Sequence, residues 1–101
     1  NSMNKVNIIK DIVSSYYDIT VDELESRSKK QNYATARSLA YYLLHMHTPM
    51  SMKDIGKRLG NRDHSTVVTM KKKAMYMYKN DIITLQKILT EKLNNYHERK
   101  N

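Results

Sequence analysis

The stretch Gly60-Asn61-Arg62-Asp63-His64-Ser65-Thr66-Val67 decides the reading of the whole chain. Gly60 stands where a helix commonly ends in a left-handed residue. Asp63 can start a new helix by accepting from the backbone N–H of Ser65 or Thr66. Only Asn61 and Arg62 lie between them, so the two helices must cross steeply. A short helix, a turn containing glycine and a second helix that opens with small polar residues is the general sequence form of a helix-turn-helix. Base edges lie deep in the major groove, so the entering turn needs compact hydrogen-bonding groups rather than bulk. Asp63, His64, Ser65 and Thr66 supply an acceptor, a ring with donor and acceptor, and two hydroxyls. Free N–H groups at the same helix start attract phosphate oxygens.

Upstream, Ser51 and Asp54 stand three apart as a cap and its reciprocal partner, with Met50 and Ile55 spaced as a hydrophobic staple. Met52, Ile55, Gly56 and Leu59 form the buried stripe of this short helix. Pro49 closes the helix before it, whose face is Ala36, Leu39, Ala40, Leu43, Leu44 and His47 and whose expected span is Ala34 to His47. Arg27-Ser28-Lys29-Lys30-Gln31-Asn32 has no apolar anchor and reads as an exposed basic loop. Thr20 and Glu23 form a capping box that opens a short helix at Val21, with Val21 and Leu24 turned inward. A first helix carries Ile9, Ile12, Val13, Tyr16 and Tyr17 on one face and stops near Asp18.

Downstream of the decisive stretch, Val67, Met70, Ala74 and either Met77 or Tyr78 face inward, leaving His64, Ser65, Val68, Thr69 and Lys72 outward. Asn80 and Asp81 offer a break and a cap for a last helix on Ile82, Leu85, Ile88, Leu89 and Leu93. The expected fold is therefore all-α, a compact six-helix domain over residues 3–93 with a polar, frayed tail over 94–101. Asn1-Ser2 ahead of Met3 reads as an expression remnant. No internal repeat or low-complexity segment interrupts the chain.

Composition narrows the function. At 101 residues the chain suits one core, and without cysteine there is neither a disulfide framework nor a thiolate metal site, so an intracellular, cytoplasmic setting is expected. No run approaches the ~20 apolar residues of a membrane helix. Of the 18 Lys and Arg, twelve fall between Arg27 and Lys79 against two acids, Asp54 and Asp63; the rest of the chain holds more acids than bases. Segregation of this kind provides an electrostatic footprint for a polyanion, which a merely solubilising surface does not require. His45 and His47 are two apart on a helix and point in different directions, so no metal site is expected. No phosphate-loop, nucleophile elbow or plausible carboxylate pair occurs, and neither an enzyme nor a nucleotide or other cofactor site is expected.

The stretch Gly60 to Val67 resembles the Gly-Gly-Arg-Asp-His-Thr/Ser-Thr-Val signature of the C-terminal DNA-binding domain of the bacterial replication initiator DnaA, with Asn61 in place of the second glycine. The likeness extends without a gap from about Ile8 to Lys73, through Tyr16-Tyr17, Ile19, Val21, Leu24, the basic loop, Arg37, Ala40 and Ile55-Gly56. The last helix matches only loosely. The resemblance implies a Trp-repressor-like, six-helix fold that binds double-stranded DNA at an A·T-rich initiator box. It implies base contacts from Asp63, His64 and Ser65, with Lys29 where the family has a minor-groove arginine. It implies backbone contacts from Arg37, His45, Met52 or Lys53, and Thr66; Arg62 and Lys72 are added as neighbouring cations. Lys29 lacks the planar guanidinium that suits a narrow minor groove. Gln31 replaces a basic residue, and Ala36 replaces a proline at a helix start.

Structural roles compete with several of these. Asp63 can be a cap alone, and His64 a surface histidine. Lys71, Lys72 and Lys73 cannot share one face, and Tyr33 beside the loop can pack against sugar or backbone. The reading that accounts for most of the chain is a monomeric, sequence-specific duplex-DNA binder acting in the cytoplasm at the nucleoid, in replication initiation or its regulation. Its rivals are a stand-alone phage, plasmid or transcriptional regulator of the same fold, a helical protein-interaction module, and a basic amphipathic membrane-surface binder.

Overall fold

The computed structural model describes the backbone of residues 2–100 and the side-chain surroundings of residues 4–95. Six helices follow one another: α1 Ser2–Tyr16, α2 Val21–Glu25, α3 Gln31–His47, α4 Met52–Arg58, α5 His64–Met77 and α6 Lys79–Lys100. No strand occurs among the described residues. α3 is the central post and packs against all five other helices. Its Leu39, Tyr41, Leu43 and Leu44 are closed off from solvent, and Val6 to Leu89 contribute to one continuous apolar core.

Local chemistry explains the helix ends. α1 stops because Asp18 turns left-handed, at φ 55°. The Ile19 and Asp18 amides then donate back to the Ser14 and Ser15 carbonyls at 3.0 and 3.2 Å, which is a Schellman closure with aspartate in the usual glycine place. The box at α2 has both halves: Thr20 Oγ1 accepts from the Glu23 amide at 3.0 Å, and Glu23 Oε1 accepts from the Thr20 amide at 2.8 Å. At α4 only half of the expected pair forms. Ser51 Oγ accepts from the Asp54 amide at 3.1 Å, while aspartate, one methylene shorter than glutamate, makes no return bond.

Two boundaries differ from the expectation. α3 begins at Gln31 rather than Ala34, so Gln31 and Asn32 belong to a helix and the basic loop shortens to residues 26–30. Its first turn carries no apolar periodicity; a Gln31 to Thr35 side-chain bond at 3.2 Å and the Tyr33 hydroxyl donating to Glu23 hold it instead. The break before α6 falls at Tyr78, not at Asn80 and Asp81. The Ile82 amide already bonds the Tyr78 carbonyl at 2.9 Å, and the Asp81 carboxylate accepts from the Tyr16 hydroxyl at 2.6 Å rather than capping. α6 is helical as far as Lys100; of the tail expected over 94–101, side chains beyond Asn95 and the whole of Asn101 lie outside the described residues.

The crossing of α4 and α5 depends on a glycine. A Cβ on Gly56 would collide with the Arg62 carbonyl oxygen and come within 2.8 Å of Val67 Cγ2. The Arg62 amide donates to the Gly56 carbonyl at 3.0 Å, so the turn lies directly on α4. Val67 and Ala74 are buried, Met70 and Tyr78 partly so, and Met77 points out.

Candidate nucleic-acid interface

The turn between α4 and α5 needs two successive left-handed residues, Gly60 at φ 86° and Asn61 at φ 50°. Asparagine tolerates this region better than most side chains, which accounts for Asn61 standing where the signature has glycine. Asp63 follows in extended conformation and caps α5. The Thr66 amide and the Ser65 hydroxyl both donate to its Oδ1, at 2.9 and 3.2 Å. A carboxylate has about four lone-pair sites, so capping does not exhaust its capacity to accept. The Thr66 amide, and then the hydroxyls of Thr66 and Ser65, hold the Asp63 carboxyl below its ordinary range, so it is an anionic acceptor at neutral pH. Asp63, His64 and Ser65 are all exposed.

Around this turn the cations are not neutralised. The one ion pair among the described residues is Lys10 to Glu25 at 2.8 Å, and it engages none of these cations. Lys29 is exposed on the loop between α2 and α3. It lines a hollow of about 300 Å³ with Ala34, Arg37, Arg62, Thr66 and Met70, so the loop and the first turns of α5 share a wall. Four of the expected contact residues, Lys29, Arg37, Arg62 and Thr66, are thereby brought together from segments far apart in sequence. Met52 and Lys53 sit on the first turn of α4, half-buried and exposed respectively, and are not part of that wall; Lys72 is exposed farther along α5.

Arg37 departs from the expectation. It was expected at a phosphate but is 1% exposed. Its Nε donates to the Leu24 carbonyl and its Nη1 to the Ser28 carbonyl, both at 2.9 Å, with longer 3.4 Å contacts from Nη2 to the Glu23 carbonyl and Ser26 Oγ. A guanidinium without a carboxylate partner can be buried when carbonyl oxygens take its donors, and here those donors are committed to the fold. Tyr33 is likewise committed: its hydroxyl donates to Glu23, and Lys30 Nζ lies 5.2 Å from its ring centre. Its hydroxyl is therefore engaged, while the residue stays half-buried.

His45 has a partner that local spacing could not reveal. Lys71 Nζ lies 3.3 Å from His45 Nδ1. Lysine is a donor only, so in this contact Nδ1 is the acceptor, and the other ring nitrogen belongs to an exposed residue. Lys73 faces the α3 side beside Gln31 and Tyr78, whereas Lys71 and Lys72 line a different hollow with Tyr76 and Lys79, as the helical spacing demands. Sequence reasoning missed Lys71 and the buried role of Arg37, since both depend on residues 26 and 13 positions away.

Comparison with known proteins agrees with this geometry. The chain is 40% identical over 79 residues to the chromosomal replication initiator protein DnaA of Clavibacter sepedonicus, a match covering 78% of this chain but 16% of that protein. The chain thus corresponds to a small part of a much longer relative. Residues 6–74 match the family described as the bacterial DnaA protein helix-turn-helix, and on that match, with the α4–turn–α5 geometry above, the chain belongs to the DnaA helix-turn-helix family.

Proposed function

We propose that this domain binds duplex DNA sequence-selectively, with the first turn of α5 in the major groove and the loop at Lys29 in the adjacent minor groove. Asp63, His64 and Ser65 meet base edges. His45, Met52 through its backbone, Lys53, Arg62, Thr66 and Lys72 meet phosphates. The observation that carries the reading is the exposed polar turn at Asp63 to Ser65, flanked by cations without acidic partners. The relative's name, a chromosomal replication initiator, supports replication initiation or its control as the setting; the A·T-rich initiator box is proposed as the target on the sequence resemblance alone. The domain acts as a monomer on one such site.

Selection of bound duplexes from a randomised pool tests this directly, followed by affinities on the selected site and on random DNA. His64→Ala and Asp63→Ala should each cost about 1 to 3 kcal/mol on the selected site and little on random DNA. Lys53→Ala should weaken both equally. Four cationic contacts, Lys29, Lys53, Arg62 and Lys72, predict a slope of log affinity against log salt of roughly −3 to −4. Equal losses on both DNAs for all three variants, or no enrichment from the pool, would refute base reading by α5.

A further inference from the structure

The loop at residues 26–30 and the turn at residues 60–62 are fastened together. The Gly60 amide donates to the Glu25 carbonyl at 3.1 Å. Arg37, from the core side, donates to Leu24 and Ser28 on either side of that carbonyl. Arg62, from the outer side, donates through Nη2 to the Arg27 carbonyl at 3.0 Å. A Cβ on Gly60 would lie 2.9 Å from Arg37 Cδ, so turn and buried arginine are also in close packing. Arg27, Ser28, Lys29 and Lys30 are all exposed, and nothing apolar anchors them. Its ends are held by α2 and α3, through the Ser26 hydroxyl on the Glu23 carbonyl at 2.7 Å and the Ala34 amide on the Lys30 carbonyl at 2.9 Å, while between them the loop's own bonds are long, Ser28 amide to Ser26 Oγ at 3.3 Å and Lys30 amide to Ser28 Oγ at 3.2 Å.

We infer that Arg62 is a positioning residue, clamping the basic loop to the α5 turn so that Lys29 and His64 are presented at one fixed separation. The inference rests on the DNA-binding reading above. A loop left free would have to be ordered by the DNA itself, and that entropy would be subtracted from whatever Lys29 gains. A clamped loop delivers the Lys29 contact already oriented. Arg37 performs the same service from inside, but its removal would leave the buried Leu24 carbonyl unpartnered. Arg62 is half-exposed, so its removal tests the clamp without emptying the interior.

The clamp and a plain phosphate contact make different predictions. Affinities are measured for the parent chain, Lys29→Ala, Arg62→Ala and the double variant on the selected duplex, with thermal denaturation confirming that each is folded. If Arg62 is the clamp, Lys29→Ala weakens the parent by about fivefold or more but the Arg62→Ala background by less than about twofold. Pool selection with Arg62→Ala then loses its A·T preference at the minor-groove positions and keeps its preference at the α5 positions. Arg62→Lys, which retains one donor for the Arg27 carbonyl, restores most of the Lys29 effect. If Arg62 only touches a phosphate, Lys29→Ala costs the same factor in both backgrounds, and the clamp is overturned. A parent chain indifferent to Lys29→Ala overturns it as well. Failure of His64→Ala and Asp63→Ala to alter base preference counts instead against the α5 reading, so the two ideas fail separately.

Discussion

Asp18 and Tyr41 show how single residues carry disproportionate cost. Asp18 occupies a left-handed position at the end of α1, where its Cβ is disfavoured. Asp18→Gly should therefore raise stability by about 0.5 to 1 kcal/mol in urea unfolding. Tyr41 is fully buried and donates to the Leu59 carbonyl at 2.6 Å, tying α3 to the end of α4. Tyr41→Phe leaves that carbonyl unpartnered and should cost about 1 to 3 kcal/mol. Burial pushes the Tyr41 hydroxyl from 10.0 up to about 12. A group raised in the folded state gives stability that is whole below its unfolded value and is lost as pH climbs through its folded one, so the melting temperature should fall between pH 10 and 12. Tyr17, also raised by burial and by Asp81, contributes to the same alkaline edge, and Tyr41→Phe should flatten only part of it.

Among the elements, the α4–turn–α5 unit places the interface, and Gly56 sets how closely its two helices approach. The Arg62 carbonyl is backbone held by its own amide bond to Gly56, so it cannot swing away from an added methyl group. Gly56→Ala should cost about 3 kcal/mol, the upper range for overpacking, and should weaken binding to the selected duplex. Circular dichroism melting and affinity together check it; an unchanged melting temperature would show that the crossing can relax. The cap at Asp63 acts on the same unit. Its carboxyl is held below the ordinary range, so the stability it contributes is present above about pH 4 and fades as pH falls through its folded value.

For the molecule as a whole, α6 lies beyond the family match at residues 6–74 and yet completes the core. Ile82, Leu85 and Leu89 are buried, and α6 packs on α1, α3 and α5. Three buried aliphatic side chains at about 1.5 to 3 kcal/mol each approach the entire stability of a small domain. A chain ending at Tyr78 should therefore lose its cooperative thermal transition, even though it keeps every residue assigned to DNA. Retention of a sharp transition by that truncated chain would show that the family segment folds alone.

Helix number, the α4 and α5 caps and the polar first turn of α5 were legible from sequence because each rests on spacings of three or four residues, the reach of one helical turn. The same local rules misplaced the start of α3, where Tyr33 is held by Glu23 rather than by apolar periodicity, and the break before α6, where Asp81 accepts from Tyr16 across 65 positions. Residue identity alone determined the class of fold, the charge segregation and which side chains could meet a base. Tertiary structure alone decided that Arg37 is spent inside on carbonyl oxygens, that Lys71 lies against His45, and that Arg62 joins the loop to the turn. A guanidinium or an imidazole serves solvent, phosphate or backbone equally well, and only the packing of distant segments determines which partner lies within reach.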